Sequence, residues 1–306
     1  MTFVGKLRSG FDLAYQKTVP ARFRLKILSG PKYAQYATPI DHAPAMDYRQ
    51  RWGFSRPPIK ALYDWFAAHE NDYREFIGTM RRYALELKDV PRHLDTKRLH
   101  VPAWEGFAYD PFDIVALYTM IRERKPKRYL EIGSGVTTSI ARRAISDGRL
   151  STQITSIDPH PRSEIDKICD QVIRHGLESC DPAIVDTLEA GDILFFDGSH
   201  RSFMNSDVTV FFIDILPRLK PGVIVHVHDI NLPWDYDAYF MNWYWNEAYM
   251  LAVYLMGRQS SIVPLLPTAF ICRDPRFDSE FSDPILDLGD YKPAWRGGGA
   301  FWFQHN

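Results

Sequence analysis

From residue 110 onward, short apolar runs alternate with longer stretches in which apolar residues recur every three or four positions. The first pattern predicts buried strands and the second predicts helices that face them. "DPFDIVALYTMIRER" predicts a helix with Asp110 or Asp113 near its start, "KRYLEIG" a buried strand, and "TTSIARRAISDG" a helix closed by Gly148. "QITSIDP", "QVIRHG" and "DILFFDG" predict further strands, with a short helix over "RSEIDKICD". "FMNSDVTVFFIDILPRLK" predicts a helix ended by Pro221 and Gly222, "VIVHVHD" a strand, and "YFMNWYWNEAYMLAVYLMG" a long helix ended by Gly257. "SIVPLL" and "GAFWFQ" predict the last two strands. Strands alternating with helices imply a mostly parallel sheet covered on both faces. No helix long enough for a crossover separates the last two strands, so the final one is expected to return antiparallel.

Before residue 110 the pattern differs. Prolines punctuate short helical stretches, and the clearest is "SRPPIKALYDWFAAHENDYREFIGTMRRYALELK". Ser55 is the expected N-cap, with Pro57 in the first turn. Leu62, Trp65 and Phe66 fall on one face, as do Phe76, Met80, Tyr83 and Leu87 further on. This reads as two helices, or one bent helix, packed on something larger. The expected organisation is a helical extension over 1–109 and an α/β domain over 110–306.

Composition narrows the class without identifying it. The chain has 306 residues, 45% hydrophobic and 25% charged, as in an ordinary globular protein. The formal net charge of −1 gives no reason to expect a nucleic-acid partner. Cys169, Cys180 and Cys272 lack zinc-ligand spacing, and with them a reducing, cytoplasmic setting is expected. No apolar run is long enough to span a membrane, and no signal-peptide pattern opens the chain. The first 33 residues are locally basic: Lys6, Arg8, Lys17, Arg22, Arg24, Lys26 and Lys32 stand against one acid, Asp12. This is either a solvated flank or a surface for peripheral contact with anionic lipid or glycan.

Candidate chemistry begins at "RYLEIGSGVTTSIARRA". Ligands of such sheets bind where strands end and helices begin. Gly133-Ser134-Gly135 forms the turn, and Glu131 at the strand's end is expected to direct a carboxylate into the site. An anion there opposes a pyrophosphate but suits a ligand that carries an ammonium group. A dinucleotide fingerprint also wants a third glycine, where this chain has Thr138. Asp158 ends the second strand, 23 positions beyond Gly135, where a carboxylate accepts hydrogen bonds from ribose hydroxyls.

"YLEIGSGVTTSIARRA", "ITSIDPHPR", "GDILFFDGSHR" and "LPRLKPGVIVHVHDI" resemble the successive motifs of class I S-adenosylmethionine-dependent methyltransferases. More narrowly, the chain resembles a bacterial branch of small-molecule or sugar O-methyltransferase-like proteins, over roughly 110–303. The resemblance implies a Rossmann-like, doubly wound, seven-stranded sheet with an antiparallel last strand. It implies that Glu131, Gly133, Ser134 and Gly135 surround the methionine part of the cofactor and that Asp158 binds the ribose. It implies further that Gly176-Leu177-Glu178 lies near adenine and that Asp197 lies near the amino group or the transferred methyl.

A second constellation follows from the strand period. Asp197 and His200 emerge from the fourth strand, and His228 and Asp229 from the fifth, so the four are expected to converge above the sheet. Methyl transfer needs an aligned acceptor oxygen and a base for its proton. His200 is the first candidate base and His228 the second, while His226 is read as a core residue. A divalent cation, such as Mg²⁺ on Asp197 and Asp229, is the competing device, although His228-Asp229 departs from the usual carboxylate pattern. Trp234 and Tyr236 are the best candidates for acceptor contact within an aromatic stretch that otherwise suits a core or an interface.

The expected activity is methyl transfer from S-adenosylmethionine to a hydroxyl of a small molecule or glycan. The alternatives are a NAD(P) oxidoreductase, disfavoured by Glu131 and the missing third glycine, and a cofactor-binding scaffold without turnover. Homo-oligomerisation stays open.

Overall fold

The computed structural model describes residues 50–306 except 54, 96, 97, 99, 106–108, 162, 163, 238, 239, 241, 242, 294 and 295. The basic N-terminal segment and Tyr239 therefore lie outside the described residues. Gln50–Asn306 packs as one compact unit. Its centre is a seven-stranded sheet in the order β3-β2-β1-β4-β5-β7-β6. The strands are β1 Arg128–Ile132, β2 Gln153–Ile157, β3 Gln171–Ile173, β4 Ile193–Phe196, β5 Ile224–Val227, β6 Ile262–Pro267 and β7 Phe301–His305. Strands β1 to β5 pair in parallel, and β7 runs antiparallel to both β5 and β6. This is the expected Rossmann-like class I methyltransferase fold, with an antiparallel last strand. Pro264 and Pro267 are tolerated because β6 lies at the sheet's edge, where a missing N–H breaks no ladder.

The α-helices among the described residues include α1 Lys60–Ala67, α2 Glu70–Ala84, α3 Pro111–Arg124, α4 Val136–Asp147, α5 Asp207–Val210, α6 Glu247–Gly257 and α7 Thr268–Arg273. Helix α3 packs between α2 and α4, and every residue from Phe112 to Ile121 is buried. A helix apolar on all sides is stable only when enclosed in this way. Pro111 opens it, and Lys125 closes it in the left-handed conformation. Leu62, Phe66, Tyr73, Ile77, Met80 and Ala84 turn the buried faces of α1 and α2 inward, while Trp65, Phe76 and Tyr83 are half-buried.

Several boundaries differ from the sequence reading. Helix α1 starts at Lys60 behind Ile59, because two prolines delay it, and Ser55 has a left-handed φ of 83° instead of capping it. The helix expected over 203–220 is one α turn, a π turn over Phe211–Ile215 and a 3₁₀ turn over Leu216–Arg218. Pro217 lies within that last turn and has no N–H to extend an α ladder. The expected "RSEIDKICD" helix is a single 3₁₀ turn, Asp166–Ile168. Of the long aromatic helix expected from sequence, Glu247–Gly257 is one described helix, and Tyr244 ahead of it is left-handed at φ 55°.

The ladder continues one residue past four parallel strands. Gly133 N–H donates to Ile157 (3.0 Å), Asp158 N–H to Ile173 (3.1 Å), Asp197 N–H to Ile132 (2.9 Å) and His228 N–H to Phe196 (2.9 Å). These bonds set Gly133, Asp158, Asp197 and His228 at one level along the carboxyl edge of the sheet.

Candidate active site

The glycine turn is shaped by its neighbours. Gly133 has a φ of +78°, and a Cβ there would lie 1.8 Å from the Asp197 carbonyl oxygen. Only glycine lets β1 turn this close to β4. Gly135 is the opposite case: its φ of 178° is extended, and a Cβ would meet nothing within 4 Å. Open space therefore lies over this side of the turn. Asp158 ties the turn to β2, with one carboxylate oxygen accepting from Ser134 N–H (2.8 Å) and the other from His160 N–H (2.7 Å). Ser134 Oγ meets Ser156 Oγ at 2.8 Å.

Glu131 lies beneath the turn and is wholly buried. The hydroxyls of Thr137 and Thr138 donate to its two oxygens. Burial pushes its carboxyl up to about 8, against the pull of those two hydroxyls. At neutral pH the free protein thus carries a buried carboxylic acid where the sequence predicts a carboxylate directed into the site. Glu178, after β3, is exposed, and its carboxylate folds back over Gly176.

The second constellation does converge. His200 Nε2 lies 3.5 Å from Asp197 Oδ1 and 3.5 Å from Asp229 Oδ2, and His228 Nε2 lies 3.5 Å from Asp229 Oδ1. Asp197, His200 and Asp229 each offer a ligand atom within 4.8 Å of the others, a grouping able to hold a metal ion. His200 and Asp229 are both left-handed, at φ 62° and 54°. Such backbone costs about 1–3 kcal/mol per residue and concentrates at functional sites. Burial alone would lower the His200 pKa, but its hydrogen bond to Glu247 and the charges of Glu247, Asp197 and Asp229 push it up to about 9. Burial likewise opposes His228, whose pKa is nonetheless raised by Asp229, Asp197 and Asp113. His226 is fully buried against Phe195 at a 3.8 Å ring separation, and burial holds its pKa well below the usual range.

Several residues of the site escaped the sequence reading. Tyr109 is buried and stacks on His228 at 4.6 Å. Asp207 pins the loop after β4 by accepting from Ser199 N–H and Ser199 Oγ, both at 2.6 Å. Glu247 reaches His200 across 47 residues of chain. A lone acid in the apolar run "NEAYMLAVYLMG" was the available signal. Tyr236 is buried, and its hydroxyl accepts from Ala248 N–H at 3.1 Å. Trp234 packs against Gly53 and Phe270. Both residues expected at the acceptor are thus engaged in packing.

A Rossmann-like sheet whose carboxyl edge carries this glycine turn and an Asp/His cluster defines the class of protein. Residues 130–230, about a third of the chain, match the family model described as a methyltransferase domain. Fold, turn and matched segment support a class I S-adenosylmethionine-dependent methyltransferase. Among solved structures it is similar to an O-methyltransferase from Bacillus cereus in complex with S-adenosylhomocysteine. The identity is 14%, over 75% of this chain and 100% of that one, with a TM-score of 0.42. It is also similar to the S-adenosylhomocysteine-bound methyltransferase PaMTH1 from Podospora anserina, at 17% identity over 74% and 94% of the two chains, TM-score 0.42. Likenesses of this strength carry no argument about the acceptor. No curated protein matches the chain.

Proposed function

We propose that this protein transfers a methyl group from S-adenosylmethionine to a hydroxyl of a small molecule or sugar, with His200 as base. The observation that carries this reading is His200 Nε2 held 3.5 Å from both Asp197 and Asp229 beside the glycine turn. The open side of Gly135 and the acid-bearing edge fit the cofactor. Gly133, Ser134 and Gly135 would line its amino-acid part, Asp158 its ribose, Glu178 its adenine side and Asp197 its ammonium, while Glu131 supports the turn from below. Bound S-adenosylmethionine supplies a methyl on a sulfonium, which departs for the acceptor oxygen while sulfur keeps the bond pair. His200 Nε2 takes the acceptor's hydroxyl proton, and Asp197 and Asp229 stabilise the imidazolium that results. His228 orients Asp229 and is the reserve base.

The described residues between 50 and 109 would cover the acceptor side, since α1 packs on α6 and Tyr109 stacks on His228. Three free cysteines suit a cytoplasmic setting. No helix among the described residues is long and apolar enough to cross a membrane.

Calorimetry with S-adenosylhomocysteine, NAD and NADP tests the donor, and labelled S-adenosylmethionine with phenols and sugars tests the acceptor. Binding of S-adenosylhomocysteine alone is expected, with turnover that falls by ~10²-fold or more in His200→Ala. Turnover is expected to rise from pH 7 toward pH 9, because His200 must be neutral to act. Binding of NAD(P) in its place would overturn the reading, and binding without transfer to any acceptor would favour a scaffold.

A second reading draws on the same cluster: a divalent cation held by Asp197, His200 and Asp229 activates the hydroxyl. Two carboxylates and an imidazole suit Mn²⁺ or Zn²⁺ better than the Mg²⁺ named as an alternative from sequence. Full loss of turnover on chelation, restored by one of these ions, would move His200 from base to ligand.

A further inference from the structure

Glu247 is a fully buried acid beside the site, and the methyl-transfer scheme above gives it no part. It sits in the first turn of α6, fully buried, inside an otherwise apolar helix. One oxygen lies 3.0 Å from His200 Nδ1, and the other has no hydrogen-bond partner among the described residues. Its polar contact is thus His200 itself. A carboxylate enclosed this way pays a desolvation penalty that a leucine would avoid, so a contribution to stability is a poor reason for it.

The residues just before it hold the same histidine. Trp245 lies against the His200 ring at a centroid distance of 4.0 Å, and Asn246 N–H donates to the His200 carbonyl at 3.0 Å. The Asn246 side chain accepts from Ser202 N–H at 2.8 Å, fixing the loop just beyond the histidine. Three consecutive residues therefore grip His200 by ring face, main chain and Nδ1. The grip holds a backbone that is left-handed at φ 62°.

We propose that Glu247 is a positioning residue for His200: by accepting the Nδ1 proton it turns Nε2 toward Asp197, Asp229 and the acceptor. A buried carboxylate on one imidazole nitrogen leaves the other nitrogen as the only one able to exchange a proton with substrate. It also balances the charge that the imidazole gains when it takes the acceptor's proton. Sequence spacing gives no hint of the pair, since 47 positions separate its members. The inference rests on the reading of His200 as base, yet its first test does not need an acceptor.

The full chain, labelled with ¹⁵N-histidine, is examined by proton–nitrogen NMR in the wild type, His200→Ala, Glu247→Gln and Glu247→Ala. The wild type is expected to show a slowly exchanging, downfield Nδ1 proton that vanishes in His200→Ala, which assigns it. The same resonance is expected to be lost in Glu247→Ala and lost or strongly shifted in Glu247→Gln, while the remaining histidine signals stay in place. Glu247→Gln keeps the side-chain volume, so it answers the question should the alanine variant fail to fold. With any acceptor that the wild type methylates, Glu247→Gln should lower kcat by ~10-fold or more while KM stays within about twofold. Survival of the resonance unchanged in both Glu247 variants, or its absence from the wild type, would overturn the proposal, as would an unchanged kcat. Failure of S-adenosylhomocysteine to bind the wild type would instead sink the methyltransferase reading and leave the Nδ1 result standing.

Discussion

Replacing Glu131 by glutamine should change how stability depends on pH, and by an amount that follows from burial. The carboxyl lies under the glycine turn, wholly buried, with an ordinary pKa of 4.5 pushed up to about 8 in the fold. A group with a raised folded pKa binds more protons folded than unfolded between those values, so stability falls as pH rises through the window. The slope is about 1.4 kcal/mol per pH unit, or roughly 3 kcal/mol between pH 5 and pH 7. For a chain of this size that corresponds to about 5–10 °C in Tm. Glutamine nearly matches the protonated acid in shape, and the Thr137 and Thr138 hydroxyls can rotate to accept from its amide. Near pH 5 the two proteins should therefore melt together. By pH 7 the variant should be the more stable, by about the amount just given. Buried Asp113 and Glu247, both with pKa values pushed up to about 7, act the same way but are common to both proteins and cancel in the difference. Thermal melts of ligand-free wild type and Glu131→Gln at half-unit steps from pH 5 to pH 9 measure it. A Tm difference that stays flat across pH 5 to 7 would refute the claim that the turn rests on a neutral carboxyl.

The two glycines of the turn should fail in different ways. Gly133→Ala forces a Cβ onto the Asp197 carbonyl at a left-handed φ and should lower stability by ~2 kcal/mol or more. Gly135→Ala should melt within ~0.5 kcal/mol of wild type, yet lose S-adenosylhomocysteine affinity because its methyl enters the open space; equal affinities by calorimetry would show that the cofactor lies elsewhere. Asp158→Ala should weaken the same binding by ~1–3 kcal/mol through loss of the proposed ribose contact and of the Ser134 N–H partner. Unchanged affinity there would misplace the ribose.

The fold was legible because its determinants are local and repetitive. Apolar runs such as "YLEI" and "ILFF" belong in strands covered on both faces, and no stretch between "SIVPLL" and "GAFWFQ" carries the pattern of a helix long enough for a crossover. Gly133, Asp158 and Asp197 were found for the same reason: each stands one residue beyond a strand, where the ladder delivers it to the sheet's edge. The gathering of Asp197 with His200 and Asp229 followed from the strand period. The sequence could not say which side of the turn Glu131 would occupy. Strand alternation gives a face, but the depth of burial depends on Thr137 and Thr138 closing over it. Nor could it join Glu247 to His200 or Tyr109 to His228, because those contacts depend on where α6 and the chain before α3 come to rest. Periodicity along the chain fixes which residues face inward. Only the packing of distant elements sets how deeply a charge is buried and which partner it meets, and those two quantities decide its protonation and its role.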